Sequence, residues 1–215
     1  MNGIYGARRA PVQRGVMIFL ALMLGSASAM AAASKTVLVL GDSLSAGYGL
    51  AANQGWVALT AQRMRTSHPG WRVVNASISG ETTSGGASRI TAAIARSRPA
   101  VVVIELGAND GLRGLALAQT RANLETIIRA AKGAKAKVLL IGMRLPPNFG
   151  PQYTRGFEQN YVDLSKRYGT AFLPFLLAPI AADRNAFQPD NLHPSAAVQP
   201  KLRDHVWGAL QPLLK

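Results

Sequence analysis

The sequence predicts an α/β fold: a parallel sheet with helices on both faces. Three observations carry this. Short runs of Val, Ile and Leu recur along the chain, longer stretches place apolar residues at helical spacing, and the two kinds alternate from about residue 36 to the end. No internal repeat, linker or low-complexity stretch interrupts the alternation, so residues 34–215 read as a single domain.

The elements follow in order. Residues 36–41 form the first strand, which breaks at Gly41-Asp42-Ser43. Trp56 to Arg65 carries Val57, Leu59 and Met64 at helical spacing, and His68-Pro69-Gly70 closes that helix. Trp71 to Asn75 is the second strand, and the small-residue stretch Ala76 to Gly80 is its loop. A helix from Thr83 to Ser97 is entered through Ser, Thr and Gly. Pro99 to Leu106 is the most apolar strand after the leader, with a loop from Gly107 to Gly111 at its end. Leu117 to Ala131 is helical, with Leu124, Ile127 and Ile128 as core contacts, and Lys137 to Gly142 is the fourth strand. A loop from Met143 to Pro151 precedes a helix from Phe157 to Tyr168 and a short fifth strand from Thr170 to Pro174. Irregular chain runs to Pro194. The last segment, Ser195 to Leu213, is amphipathic, with Pro200 in its first turns, where proline is partly tolerated.

The first 33 residues have a different character. Arg8, Arg9 and Arg14 make a basic front, Gly15 to Leu24 is a short apolar core, and small residues follow from Ser26 to Ala33. That three-part pattern predicts a secretory signal peptide, cleaved near residues 29–33, and hence a periplasmic protein. The apolar core is too short for a membrane-spanning helix. The formal net charge of the whole chain is +14, and loss of a leader holding three arginines and no acids lowers it to +11. The basic residues are scattered rather than blocked, and no nucleic-acid module is present, which leaves at most transient contact with an anionic membrane surface. There is no cysteine, so disulfides and thiolate metal sites are excluded, and the three histidines are too dispersed to predict a metal site.

The chemistry sits in four loops. In open parallel sheets, loops at the carboxyl ends of adjacent strands converge on one cleft. Three such loops carry Ser43, Gly80 and Asn109; the fourth stretch, Phe187 to Pro194, carries Asp190 and His193. A serine hydroxyl is a weak nucleophile near neutral pH and needs an adjacent base. His193 can serve as that base. Asp190, three residues earlier, can fix the imidazole tautomer and stabilise the imidazolium that forms. The backbone N–H groups of Ser43 and Gly80 and the side-chain amide of Asn109 can face a developing oxyanion, and loss of one such donor costs about 10²–10³ in rate.

Gly41-Asp42-Ser43-Leu44-Ser45, the Gly80 loop, Gly107-Ala108-Asn109-Asp110 and Asp190-Asn191-Leu192-His193 resemble, in order, the four blocks of the SGNH (GDSL) hydrolase family. The resemblance runs from about residue 35 to the C-terminus. It is strongest to the periplasmic branch with acyl-CoA thioesterase, lysophospholipase and arylesterase activities. Val74 to Thr83, Leu112-Arg113-Gly114 and Arg144 to Asn148 support it. It implies a flavodoxin-like three-layer α/β/α sandwich around a five-stranded parallel sheet, no cofactor, and action on small acyl esters or thioesters, lysophospholipids among them; nothing in the sequence suggests more than a monomer. It also implies that Ser43, Asp190 and His193 form the triad, that Ser43, Gly80 and Asn109 make the oxyanion hole, and that Gly111, Leu112, Leu145 and Pro146 belong to substrate-binding loops.

Two positions depart from the family pattern: Asn191 stands where glycine is usual after the acid, and Ala108 precedes Asn109. Asn tolerates left-handed backbone better than most residues, so the turn is expected to survive. Taken singly, the motif residues have plainer readings, Ser43 as a helix cap and Asn109 as a turn residue. Asp42 and Asp110 read as structural, Glu81 and Glu105 as solvated or paired, and Trp56 and Trp71 as core or sheet edge. Two other functions fit the same chain: deacetylation of cell-envelope carbohydrate esters, and a non-catalytic binding module. The latter lacks any G-x-G-x-x-G or P-loop after the first strand.

Overall fold

A computed structural model describes residues 1–3, 6 and 34–215. The expected signal peptide and its cleavage region therefore lie almost wholly outside the described residues. Residues 34–215 belong to one compact unit that ends at Lys215.

Five parallel strands form one sheet: β1 (Lys35–Gly41), β2 (Trp71–Asn75), β3 (Val101–Glu105), β4 (Lys137–Ile141) and β5 (Ala171–Leu173), in the spatial order β2-β1-β3-β4-β5. This is the flavodoxin-like order. Strands β1, β3 and β4 are central, and their Val, Leu and Ile side chains are almost completely buried because helices cover both faces. Each such side chain contributes ~1.5–3 kcal/mol relative to exposure. The edge strand β2 is only partly buried, and Lys35 lies over the Trp71 ring there.

Seven helices accompany the sheet among the described residues: α1 (Ser43–Ala46), α2 (Trp56–Ser67), α3 (Thr83–Ser97), α4 (Ala108–Leu112), α5 (Leu117–Gly133), α6 (Pro151–Tyr168) and α7 (Gln199–Leu210). Helix α3 packs on α5, and α5 on α6, in one layer; α2 packs on α7 in the other. Trp56 is buried in the second layer, as the sequence predicts for a core residue.

Two elements differ from the sequence expectation. The loop expected from Gly107 to Gly111 contains a short helix, α4, entered through Gly107 at φ 119°. Helix α6 begins at Pro151, six residues before the expected start. Pro151 occupies the first helical turn, where its fixed φ suits the helix and its missing N–H costs nothing. The first turns of α6 carry Gln152, Thr154 and Arg155 and bury little, so they show no apolar periodicity to read.

The topology also fixes where a site can form. The chain goes from β1 outward to β2 and then returns to β3 on the other side of β1, so the strand order reverses between β1 and β3. Their carboxyl ends are in register, Gly41 opposite Glu105. Ligands of doubly wound sheets bind at such a switch point.

Candidate active site

Ser43 is the first residue of α1, directly after β1. The Asp42 side chain caps that single turn by accepting the Leu44 N–H at 3.0 Å, and Gly47 closes it in the left-handed region at φ 79°. Gly41 has to be glycine: a Cβ there would stand 2.7 Å from the Ser45 side chain and 2.9 Å from Glu105. Ser45 donates to the Glu105 carboxyl at 2.6 Å, and the Asn75 amide donates to the Ser45 carbonyl at 2.8 Å. The serine turn is thus tied to the ends of β2 and β3.

His193 comes from the irregular chain before α7. An antiparallel bridge between Phe187 and Pro194 pinches that chain into a closed loop, reinforced by the Gln188 N–H to His193 carbonyl bond of 2.7 Å. Within the loop, Asp190 Oδ1 accepts the N–H groups of Leu192 and His193, both at 3.0 Å. Asn191, between Asp190 and these two residues, adopts φ 54°, so asparagine fills a left-handed position. The second carboxylate oxygen, Oδ2, lies 2.6 Å from His193 Nδ1, and His193 Nε2 lies 2.9 Å from Ser43 Oγ. One hydrogen-bonded chain therefore joins Asp190, His193 and Ser43 across 150 residues of sequence. The N–H donors of His193, followed by its side chain and the Leu192 N–H, hold the Asp190 carboxyl down to about 2.

Asn109 lies in α4, beyond the end of β3. Its amide donates to the Glu81 carbonyl at 3.0 Å and, more weakly, to Asp42 Oδ2 at 3.3 Å. The next residue, Asp110, is buried and accepts both the N–H and the hydroxyl of Thr83, at 2.8 and 2.5 Å, locking α4 onto the start of α3. Gly80 sits just before α3, in a turn at φ 78°, with open space where a side chain would be. Neither Ser43 N–H nor Gly80 N–H has a hydrogen-bond partner among the described residues.

Beneath the serine turn, two buried carboxyls lie close together. Burial pushes Asp42 up to about 6, against the opposing pull of the Leu44 N–H. Burial, and then the neighbouring Asp42 charge, push Glu105 well above the usual carboxylate range. Glu105 is thus paired, not solvated; Glu81 is likewise paired, with Arg89.

A cavity of about 400 Å³ opens beside Ser43. Ser43, Asn109 and His193 line it together with a largely apolar wall that includes Leu112, Met143, Leu145, Pro146, Phe175 and Leu177. Three of the four expected loop residues are therefore on this wall. Gly111 is not: it is buried behind Leu145, whose Cδ2 is 2.5 Å from where a Gly111 Cβ would stand. Gly80 is also outside the lining. Sequence reasoning assigned no role to Tyr48, whose ring stacks on His193 with centroids 4.5 Å apart and planes at 36°. An aromatic residue five positions after the serine was its only signal. The other two histidines are elsewhere, His68 against Trp207 and His205 bonded to the Phe175 carbonyl. Among the described residues, no group of three or more His, Asp or Glu side chains is arranged to hold a metal ion.

Known proteins resemble this chain over most of its length. Esterase TesA of Pseudomonas aeruginosa is 48% identical over 183 residues, covering 85% of this chain and 91% of that protein. The thioesterase 1/protease 1/lysophospholipase L1 of Escherichia coli K12 is 40% identical over 184 residues, covering 86% and 87%. The solved structure of the psychrotrophic esterase EstA from a Pseudoalteromonas species, inhibited by monoethylphosphonate, superposes with a TM-score of 0.80 at 36% identity, covering 84% of this chain and 99% of that one. The pattern of the GDSL-like lipase/acylhydrolase family matches residues 39–199, three-quarters of the chain, and with these relatives it establishes that the chain belongs to that family.

Proposed function

We propose that this protein hydrolyses carboxylic esters and thioesters of acyl chains through an acyl-enzyme formed on Ser43. The hydrogen-bonded chain Asp190–His193–Ser43 beside an apolar cavity is the observation that carries the proposal. Ser43 Oγ attacks the acyl carbonyl while His193 Nε2 takes its proton. Asp190 holds the imidazole with Nδ1 protonated and stabilises the imidazolium. The tetrahedral oxyanion is met by the N–H groups of Ser43 and Gly80 and by the Asn109 amide, and preorganised donors of this kind usually supply the largest single share of the acceleration. His193 then protonates the leaving alcohol or thiol as the carbon–oxygen or carbon–sulfur bond breaks. Water, deprotonated by the same imidazole, releases the acid and restores Ser43.

The apolar wall favours acyl chains longer than acetyl, which supports esterase, thioesterase and lysophospholipase chemistry over carbohydrate deacetylation. We read residues 1–33 as a cleaved export signal and residues 34–215 as a monomeric periplasmic domain whose positive charge permits transient contact with anionic lipid. The test is a panel of p-nitrophenyl esters and acyl-CoA thioesters across chain length, run beside labelling with a fluorophosphonate. Labelling at Ser43 and a loss of at least 10³ in kcat for Ser43→Ala are expected. Full activity in Ser43→Ala, or a preference for acetyl over medium chains, would overturn the reading.

A further inference from the structure

The Gly80 turn is held by polar contacts rather than by packing. The Glu81 N–H to Ile78 carbonyl bond of 3.1 Å closes it, with Gly80 at the third position, where φ is positive. Gly80 is exposed, and nothing lies within 4 Å of the place where its Cβ would be. Side chains attached to α4 grip two successive carbonyls of this turn: Asn109 donates to the Glu81 oxygen at 3.0 Å, and Arg113 Nη2 donates to the Gly80 oxygen at 3.1 Å. The two grips come from positions four apart, with Arg113 as the residue that ends α4.

An arginine at the end of a helix ordinarily complements the helix dipole. Arg113 instead reaches a carbonyl 33 residues away in sequence, and none of the ion pairs among the described residues engages it. Arg113 is exposed, so solvent weakens the contact, but a guanidinium bond to a neutral carbonyl is charge-assisted and stronger than a bond between two neutral groups in the same setting.

We infer that Arg113 is a positioning residue: by clamping the Gly80 carbonyl to α4, it holds the Gly80 N–H at a set distance from the Asn109 amide, so that the two donors act on one oxyanion. The inference rests on the reading of Ser43 as nucleophile and Gly80 as an oxyanion donor. Arg113 touches no reacting atom. Its effect falls on the transition state, where the oxyanion exists, and not on ground-state binding in the apolar cavity.

The experiment compares wild type with Arg113→Met, which keeps the apolar stem and removes the donors, and with Arg113→Lys, which keeps a charged donor. Arg113→Met is expected to lower kcat about tenfold, less than outright loss of an oxyanion donor, with KM within about twofold. Its rate of inactivation by a fluorophosphonate, whose phosphoryl oxygen occupies the same hole, should fall in parallel. Arg113→Lys, or Arg113→Met assayed with added guanidinium ion at concentrations that leave the wild type unchanged, should recover part of the loss. A wild-type kcat in Arg113→Met overturns the inference, as does a change confined to KM, which would make Arg113 a substrate contact. A kcat loss tracking a lowered unfolding temperature, with no recovery by lysine or guanidinium, also overturns it. Wild-type labelling keeps the two readings apart. If the fluorophosphonate fails to label Ser43, the catalytic reading itself falls; if it labels both proteins at equal rates, only the role of Arg113 falls.

Discussion

The Tyr48 ring lies against the His193 imidazole, with centroids 4.5 Å apart and planes inclined by 36°. Tyr48 is half exposed, so the contact covers one face of the imidazole without burying the tyrosine. Gln188 ties the two segments together by donating to the carbonyls of Tyr48 and Pro194. A ring pair of this kind is worth ~0.5–1.5 kcal/mol. If that energy holds the imidazole in line with Ser43, Tyr48→Ala should lower kcat roughly two- to tenfold. Tyr48→Phe, which keeps the stack, should match the wild type. Steady-state kinetics on one ester decide it; equal losses in both variants would assign the effect to the hydroxyl instead.

Asp190→Asn separates the two tasks of that carboxylate. The amide oxygen can still accept the Leu192 and His193 N–H groups, so the turn should persist and the unfolding temperature should hardly move. The bond to His193 Nδ1 loses its charge and favours the wrong tautomer, which costs about 10⁴ in kcat in serine hydrolases built this way. The native carboxyl, held down to about 2, contributes stability that is present above its unfolded value of 3.8 and lost as pH falls through about 2. Asp190 therefore stays charged above about pH 4, and an acid limb in the rate profile above that pH should survive in Asp190→Glu.

Gly111 acts on the cavity from behind. A methyl group there would overlap Leu145 Cδ2 at 2.5 Å and press Phe157 at 3.0 Å. Phe157 is fully buried, so Leu145 is the side chain expected to give way, toward the cavity it lines. Gly111→Ala should cost ~1–3 kcal/mol of stability, as overpacking does. It should also shift the ester chain-length profile toward shorter acyl groups. An unchanged profile with lowered stability would show that the strain is relieved elsewhere.

Asp42 gives the protein a measurable pH signature. Its carboxyl is raised to about 6 in the folded state, so the associated stability is fully present below the unfolded value of 3.8 and is lost as pH rises through about 6. Asp42→Asn keeps an oxygen to cap Leu44 but has no proton to lose. Urea unfolding at pH 4 and pH 7 should show the variant gaining stability on the wild type between the two, by about 2 kcal/mol. An unchanged difference would mean that Asp42 is not strongly perturbed.

Much of this molecule was legible in its sequence. Alternating apolar runs and helical periods determined a doubly wound parallel sheet, because strands buried on both faces must be apolar throughout and their crossovers must be amphipathic. Ser43, Gly80 and Asn109 at strand ends, with Asp190 and His193 three apart before the last helix, marked the candidate site, since carboxyl-end loops of such sheets converge. The start of α6 was not legible, because its first turns bury little and leave no period. Tertiary structure alone decided the rest. The 2.9 Å approach of His193 to Ser43 depends on a loop pinched shut between Phe187 and Pro194. The stack of Tyr48 on that imidazole, the wall of the cavity, the burial of Glu105 and the reach of Arg113 to Gly80 join residues far apart in the chain. No local period records such contacts, because they form only when separate loops are carried to the same edge of the sheet.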